Sequence, residues 1–231
     1  HKDDKIKAHD HLFSDEANDF VSKLVETFQP KLEILLKQRV IKQHNINKKC
    51  KAGEQPLEFL PEEDYLAEGE DKNWKGPTLH PKLTTRHVEI TGPASQERMV
   101  YNSFTCGADV YMSDFEDSLS PTSENIINGQ LNLYQAVRKL LTKDGLLMGE
   151  TETTLVVRAR GLHLKDHYFL YNNQPTPGCL IDFGYFFFNN AEELIKQGSG
   201  PFFYLPKMQH WEEAKWWSDV FEFAEDYIGI P

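Results

Sequence analysis

Positive charge is scarce in this sequence. Against 36 Asp and Glu stand 25 Lys and Arg, for a formal net charge of −11. That balance argues against a nonspecific grip on nucleic acid or on an anionic membrane surface. An anionic ligand has to be met by cations gathered locally. Cysteine is scarce as well. Cys50, Cys106 and Cys179 lie far apart, odd in number and with no C-x-x-C pair, which reads as reduced thiols in a reducing compartment rather than a zinc site. No apolar run approaches the ~20 residues of a membrane span, and no charged-then-apolar leader opens the chain, so neither membrane insertion nor secretion is expected. An initiating Met is missing too, and the sequence stops at YIGIP without a tail, so it reads as cut from a longer chain.

What is present suffices for a packed core: 231 residues, 39% hydrophobic and 12% aromatic, enough for one large domain or for a small domain plus part of a larger one. Ser14 can cap a helix whose first turn carries Asp15 and Glu16. Ala17, Phe20, Val21, Leu24, Val25 and Phe28 then mark one apolar helical face. Pro30 suits the first turn of a second helix bearing Leu32, Leu35, Leu36, Val40 and Ile46. Residues 14 to about 48 are therefore expected to form a helical hairpin. His9, His11 and His44 show no ligand spacing and are read as surface. Residues 49 to 86, rich in Pro, Gly and acids with anchors at Phe59, Leu60, Tyr65 and Trp74, read as a long connection lying on the protein surface.

Beyond that point the pattern alternates. HVEITGP, DVYMSDFED, TLVVRARG and PFFYLPK are strand-like runs rich in β-branched and aromatic residues. Helical candidates separate or follow them at 95–104, 126–141, 182–197 and 211–227, the last with Trp211, Ala214, Trp217, Phe221 and Ala224 on one face. Such alternation means βα units and a parallel sheet, an α/β fold whose chemistry collects at the carboxyl ends of the strands. Gly198, in GSG before a strand, reads as a helix stop and not as a phosphate loop.

One strand end is conspicuous. In SDFEDSLSPTSENIINGQLNL, Asp114, Glu116 and Asp117 crowd three carboxylates into four residues, at a cost in stability unless something uses them. The plain alternative is a solvated turn before a helix. Strand alternation puts Asp114 and Glu116 on the face of Val110 and Met112, and Arg158 and Arg160 on the face of Val156. Two arginines on an otherwise apolar strand either form structural ion pairs with Asp114 or Glu116, or bind carboxylate, thioester or phosphate oxygens through their planar forks. One of them can do each. Lys207 ends its own strand, a weaker signal, and His163 and His167 follow RARG as lesser candidates for substrate contact.

In order and spacing, RHVEITGP, SDFEDSLSPTSENIINGQLNL, LVVRARGLHL, GCLIDFGYFFFNNAEELIKQGSGPFFYLPKM and WWSDVFEFAEDYIGIP resemble the first half of the malate synthase family, isoform A. The resemblance implies the first half of a (β/α)₈ TIM barrel, about four βα units over residues 81–231, preceded by an N-terminal helical clasp and linker over residues 1–80. It implies condensation of acetyl-CoA with glyoxylate and water to give malate and CoA in the glyoxylate cycle, with Mg²⁺ as cofactor. Arg158, the first Arg of the R-x-R-G motif, takes the catalytic place. Glu116 and Asp117, with Asp114, Arg160 and Lys207, are expected near substrate or metal. The direct Mg²⁺ ligands, the catalytic base and much of the CoA site are expected beyond this sequence, so the chain alone is not expected to be a competent catalyst.

The chemistry suits these residue types. A thioester methyl is a weak acid, and a guanidinium held against its oxygen stabilises the enolate as charge develops. Arginine, always protonated, is left out as the base. Mg²⁺ would polarise the aldehyde of glyoxylate. Two other readings stand beside this one: a citrate-lyase-β-like acyl-CoA lyase, and a non-catalytic half-barrel that binds a partner through its open edge. The compartment is expected to be cytoplasmic or peroxisomal (glyoxysomal), and the oligomeric state is open.

Overall fold

A computed structural model describes residues 10–58 and 75–230. His9 and the anchors Phe59, Leu60, Tyr65 and Trp74 lie outside the described residues.

The first long element, α1 (Asp15–Ala52), is one helix of 38 residues with Pro30 inside it, not the expected hairpin. The physical reason is phase. Ala17, Phe20, Val21, Leu24, Val25, Phe28, Leu32 and Leu35 are all buried along one continuous stripe, while Pro30 faces solvent. Burial of that stripe outweighs the hydrogen bond the proline withholds. Ser14 caps the start as expected, its Oγ accepting from the Ala17 amide at 3.2 Å, and Gly53 ends the helix at φ 73°.

The α/β alternation is realised. Strands β1 (Glu89–Pro93) and β2 (Val110–Asp114) flank helix α2 (Glu97–Thr105), and α3 (Ser123–Val137) follows β2. Two short antiparallel ladders interrupt the alternation: β3 (Thr142–Lys143) with β4 (Leu146–Leu147), and, after β5 (Thr154–Arg158), β6 (Lys165–Tyr171) with β7 (Gln174–Pro177). Helix α4 (Gly178–Lys196), strand β8 (Phe202–Tyr204) and helix α5 (Trp211–Ile228) complete the described chain. The main sheet is parallel, in the order β1-β2-β5-β8, and matches an arc of a TIM barrel. Its register sets Asp114 opposite Arg158 and Arg158 opposite Tyr204. Chain order and sheet order therefore agree, and the carboxyl ends of β2, β5 and β8 lie side by side.

The core joins α1, α4 and α5. Phe20 and Phe28 of α1 meet Phe187 and Phe188 of α4 and Trp216 and Phe223 of α5 through ring contacts. Each fully buried large apolar side chain here contributes roughly 2–3 kcal/mol. The buried face of α5 is Glu213, Trp216, Trp217, Val220 and Ala224, whereas Trp211 and Ala214 are exposed. The expected face was rotated because tryptophan and alanine also fall at helical spacing on the solvent side, and because an acid, Glu213, occupies a core position. Gly198, at φ 72°, ends α4 as expected. Among the described residues no helix is long and apolar enough to cross a membrane.

Candidate active site

The site starts at the last residue of β2. Asp114 is fully buried, and Arg158, its neighbour across the sheet, donates to it through Nε (2.9 Å to Oδ1) and Nη2 (2.7 Å to Oδ2). The chain then turns back on the same carboxylate. The Glu116 amide donates to Oδ1 at 2.8 Å, and the Ser118 amide and hydroxyl donate to Oδ2 at 2.8 and 2.7 Å. Burial alone raises the Asp114 pKa, but the donors from Arg158, Glu116 and Ser118 outweigh it and hold the carboxyl below its ordinary value. The same pair holds the Arg158 guanidinium above its ordinary value.

Arg158 is thus gripped along one edge. Its Nη1 stays on the open side, 3.3 Å from Asp117 Oδ2 and 3.9 Å from Glu116 Oε2, and its Cζ lies 6.0 Å from the Tyr204 ring centroid. Lys207, just past β8, completes the group with Nζ 2.5 Å from Asp117 Oδ1 and 3.1 Å from Glu116 Oε1. Asp117, first among its partners, and then Glu116 raise the Lys207 pKa. Five of the residues singled out in the sequence, Asp114, Glu116, Asp117, Arg158 and Lys207, therefore converge on one strand-end mouth.

Glu116 is the unusual member. Its side chain is buried, yet neither carboxylate oxygen accepts a well-directed hydrogen bond. The Lys207 ammonium is at ion-pair distance but poorly aligned. A buried carboxylate with unused acceptor capacity is what a ligand or an ordered water would satisfy. Gly161 makes room for it: a Cβ there would stand 2.7 Å from Glu116 Oε1 and 2.9 Å from His163 Cε1. The exposed His163 thus flanks the mouth, while His167 is exposed on β6.

Arg160 is placed elsewhere. It is buried beyond the end of β5, donating from Nε and Nη2 to Asp182 at 2.8 and 2.7 Å and from Nη1 to Asp166 at 2.7 Å. Burial opposes its charge, but the two carboxylates hold its pKa above the ordinary value. Of the two arginines, then, Arg160 ties β5 to the β6–β7 hairpin and to α4, and Arg158 faces the mouth. Sequence reasoning missed Asp166, Asp182 and Ser118. Ser118 had a signal, since an Asp followed by Ser four residues on can close a side-chain-to-backbone turn. Asp182 lies in an apolar helix start, where an acid calls for a partner.

Two clefts, about 220 and 510 Å³, sit at the amino ends of β2 and β5, lined among others by Lys82, Glu150, Thr153 and Thr154. They are at the opposite end of the sheet from the carboxylates. Among the described residues, no group of three or more His, Cys, Asp or Glu side chains is disposed to hold a metal. What the mouth offers is an oriented guanidinium, an ammonium and a buried carboxylate with spare acceptor capacity, enough to bind and polarise a small oxyanion or thioester oxygen.

Comparison with known proteins places the chain in a family. Residues 154–231 match the family model of the malate synthase TIM barrel domain. The chain is 42% identical to a glyoxysomal malate synthase of Candida tropicalis and 38% identical to malate synthase A of Escherichia coli, each over 95% of this chain and 40% of the relative. It is 50% identical over 69% of its length to 17% of a bifunctional glyoxylate cycle protein of Caenorhabditis elegans. The chain thus spans about 40% of the length of the full malate synthases it matches. Over the length it spans, this chain belongs to the malate synthase family.

Proposed function

We propose that this chain supplies the acidic strand-end wall and the catalytic arginine of a malate synthase, which joins acetyl-CoA to glyoxylate with water to give malate and CoA in the glyoxylate cycle. The observation that carries the reading is the grip on Arg158. Asp114 takes Nε and Nη2, leaving Nη1 toward the mouth. A guanidinium fixed in this way can meet the thioester oxygen without reorganising as the enolate charge forms, an effect of about 3–4 kcal/mol for one well-placed donor. Proton abstraction is left to a carboxylate elsewhere in the complete protein. In this reading residues 1–80 form the N-terminal clasp and linker, and residues 81–231 the first half of the barrel.

Mg²⁺ would supply polarisation of the glyoxylate aldehyde. The residues present do not fit a Mg²⁺ cage by themselves: Glu116 and Asp117 already face Lys207 and Arg158, and Mg²⁺ takes near-octahedral oxygen ligation. The resemblance implies that its direct ligands lie outside this chain. Three of the relatives, 37%, 42% and 44% identical to this chain, carry glyoxysomal in their names, which supports a peroxisomal compartment, with the cytoplasm as the alternative.

The test is a thiol-release assay on the complete protein with acetyl-CoA, glyoxylate and Mg²⁺, omitting each in turn. CoA release that needs glyoxylate and Mg²⁺ is expected, and Arg158→Lys, which keeps charge but loses the fork, is expected to lower turnover by about 10²–10³. Release with another acceptor alone, or none, overturns the assignment.

A further inference from the structure

Lys207 reaches the mouth from a backbone that ordinarily suits glycine: its φ is 53°, in the turn after Pro206. What holds this turn comes from the far end of the sequence. Arg39, midway along α1, donates from Nη2 to the Lys207 carbonyl at 3.1 Å. The same guanidinium is fixed by Glu213 of α5, with Nε 2.6 Å from Oε1 and Nη2 2.9 Å from Oε2. Glu213 Oε2 also accepts from the Gln209 amide at 2.7 Å, closing the loop on its other side. This carboxylate is almost wholly buried; burial opposes its charge, and the donors led by Arg39 hold its pKa below the ordinary value.

We propose that Arg39 and Glu213 are positioning residues for the active site: they hold the loop after β8 so that the Lys207 ammonium is delivered to Glu116 and Asp117. The N-terminal helix, which places no side chain in the mouth, is by this route part of it. The consequence for the reaction rests on the malate synthase reading above. Three carboxylates at the mouth are faced by two cations, Arg158 and Lys207. Withdrawing Lys207 leaves a more negative mouth toward anionic substrates, so the loss falls on substrate binding before turnover.

The test uses the complete protein and two readouts. Arg39→Met/Glu213→Leu removes both charges together and leaves no buried charge unpaired, so the fold is kept. First, acetic anhydride labelling of Lys207, followed by mass spectrometry against the exposed Lys48 as internal reference, is expected to run several-fold faster in the double variant than in the parent. Second, the glyoxylate KM is expected to rise roughly tenfold in Lys207→Met with a smaller change in kcat, as for loss of one charge contact. Adding Arg39→Met/Glu213→Leu to Lys207→Met should change KM no further, since a clamp that acts through Lys207 has nothing left to act on. Unchanged labelling, or KM effects that multiply, overturns the proposal. If the complete protein forms no malate, the malate synthase reading falls, and the labelling experiment by itself decides the clamp.

Discussion

Asp114 collects five hydrogen-bond donors on two oxygens, and this makes one side chain both a structural anchor and the setting for Arg158. Asp114→Asn should destabilise the complete protein by about 3 kcal/mol at neutral pH, the order expected when a buried pair loses one charge. The sign with pH follows from the lowered pKa of Asp114 in the fold. A carboxyl depressed below its unfolded value of about 3.9 contributes fully above that pH and loses its contribution as pH falls through the native pKa. The Tm gap between parent and Asp114→Asn should therefore be full at pH 7 and shrink below about pH 4; a gap that is flat with pH would show that the charge of Asp114 is not what is lost. Lys207 offers the opposite case. Lys207→Gly relieves the positive φ but also removes the ammonium facing Glu116 and Asp117, so the two effects oppose and the Tm, read by thermal unfolding, should change little while, in the proposed reaction, glyoxylate binding weakens. At this scale the sequence was legible where charges broke a strand pattern, as at Asp114, Glu116, Asp117 and Arg158. It was not legible for Arg160, whose partners Asp166 and Asp182 come together only through tertiary contact.

At the scale of elements, the strands of the parallel sheet and the helices between them were readable because apolar runs alternate with amphipathic ones. The β6–β7 hairpin was missed, although Asn172 and Asn173, both at positive φ, are the residues that a tight hairpin turn prefers. Pro30 misled for a physical reason. A proline is as compatible with a first helical turn as it is costly in the middle, and only the buried stripe running past it decides between them. It follows that Pro30→Ala should raise stability by roughly 1–3 kcal/mol, measured as a rise in denaturation midpoint, because it restores a withheld backbone bond at an exposed position. Gly129 of α3 goes the other way. A Cβ there would lie 2.6 Å from the Phe115 ring and 3.1 Å from Ala94 Cβ. Gly129→Ala should thus destabilise despite the better helix former, and because Phe115 sits between Asp114 and Glu116, its displacement should also lower activity.

For the whole molecule, a net charge of −11 surrounds a mouth that holds two cations, so any attraction for an anionic ligand would be local and not that of the mean field. The 231-residue chain expressed by itself is expected to release no CoA from acetyl-CoA and glyoxylate; activity in it would place the base and the metal ligands among these residues after all. Family membership was legible in several long motifs in order. The coupling of α1 to Lys207 was not, since Arg39 and Lys207 are 168 residues apart and their bond runs to a backbone carbonyl, which carries no residue signature.

The bond between Asp114 and Arg158 joins residues that are also partners in the last rung between β2 and β5. Slide one strand past the other by a single residue and the carboxylate is shut in with no counter-charge. The arginine proposed as catalytic is therefore also the inspector of the assembly: a chain that pairs its strands wrongly loses stability at the very position where Arg158 would be lost from the mouth, so misaligned molecules are expected to unfold rather than persist.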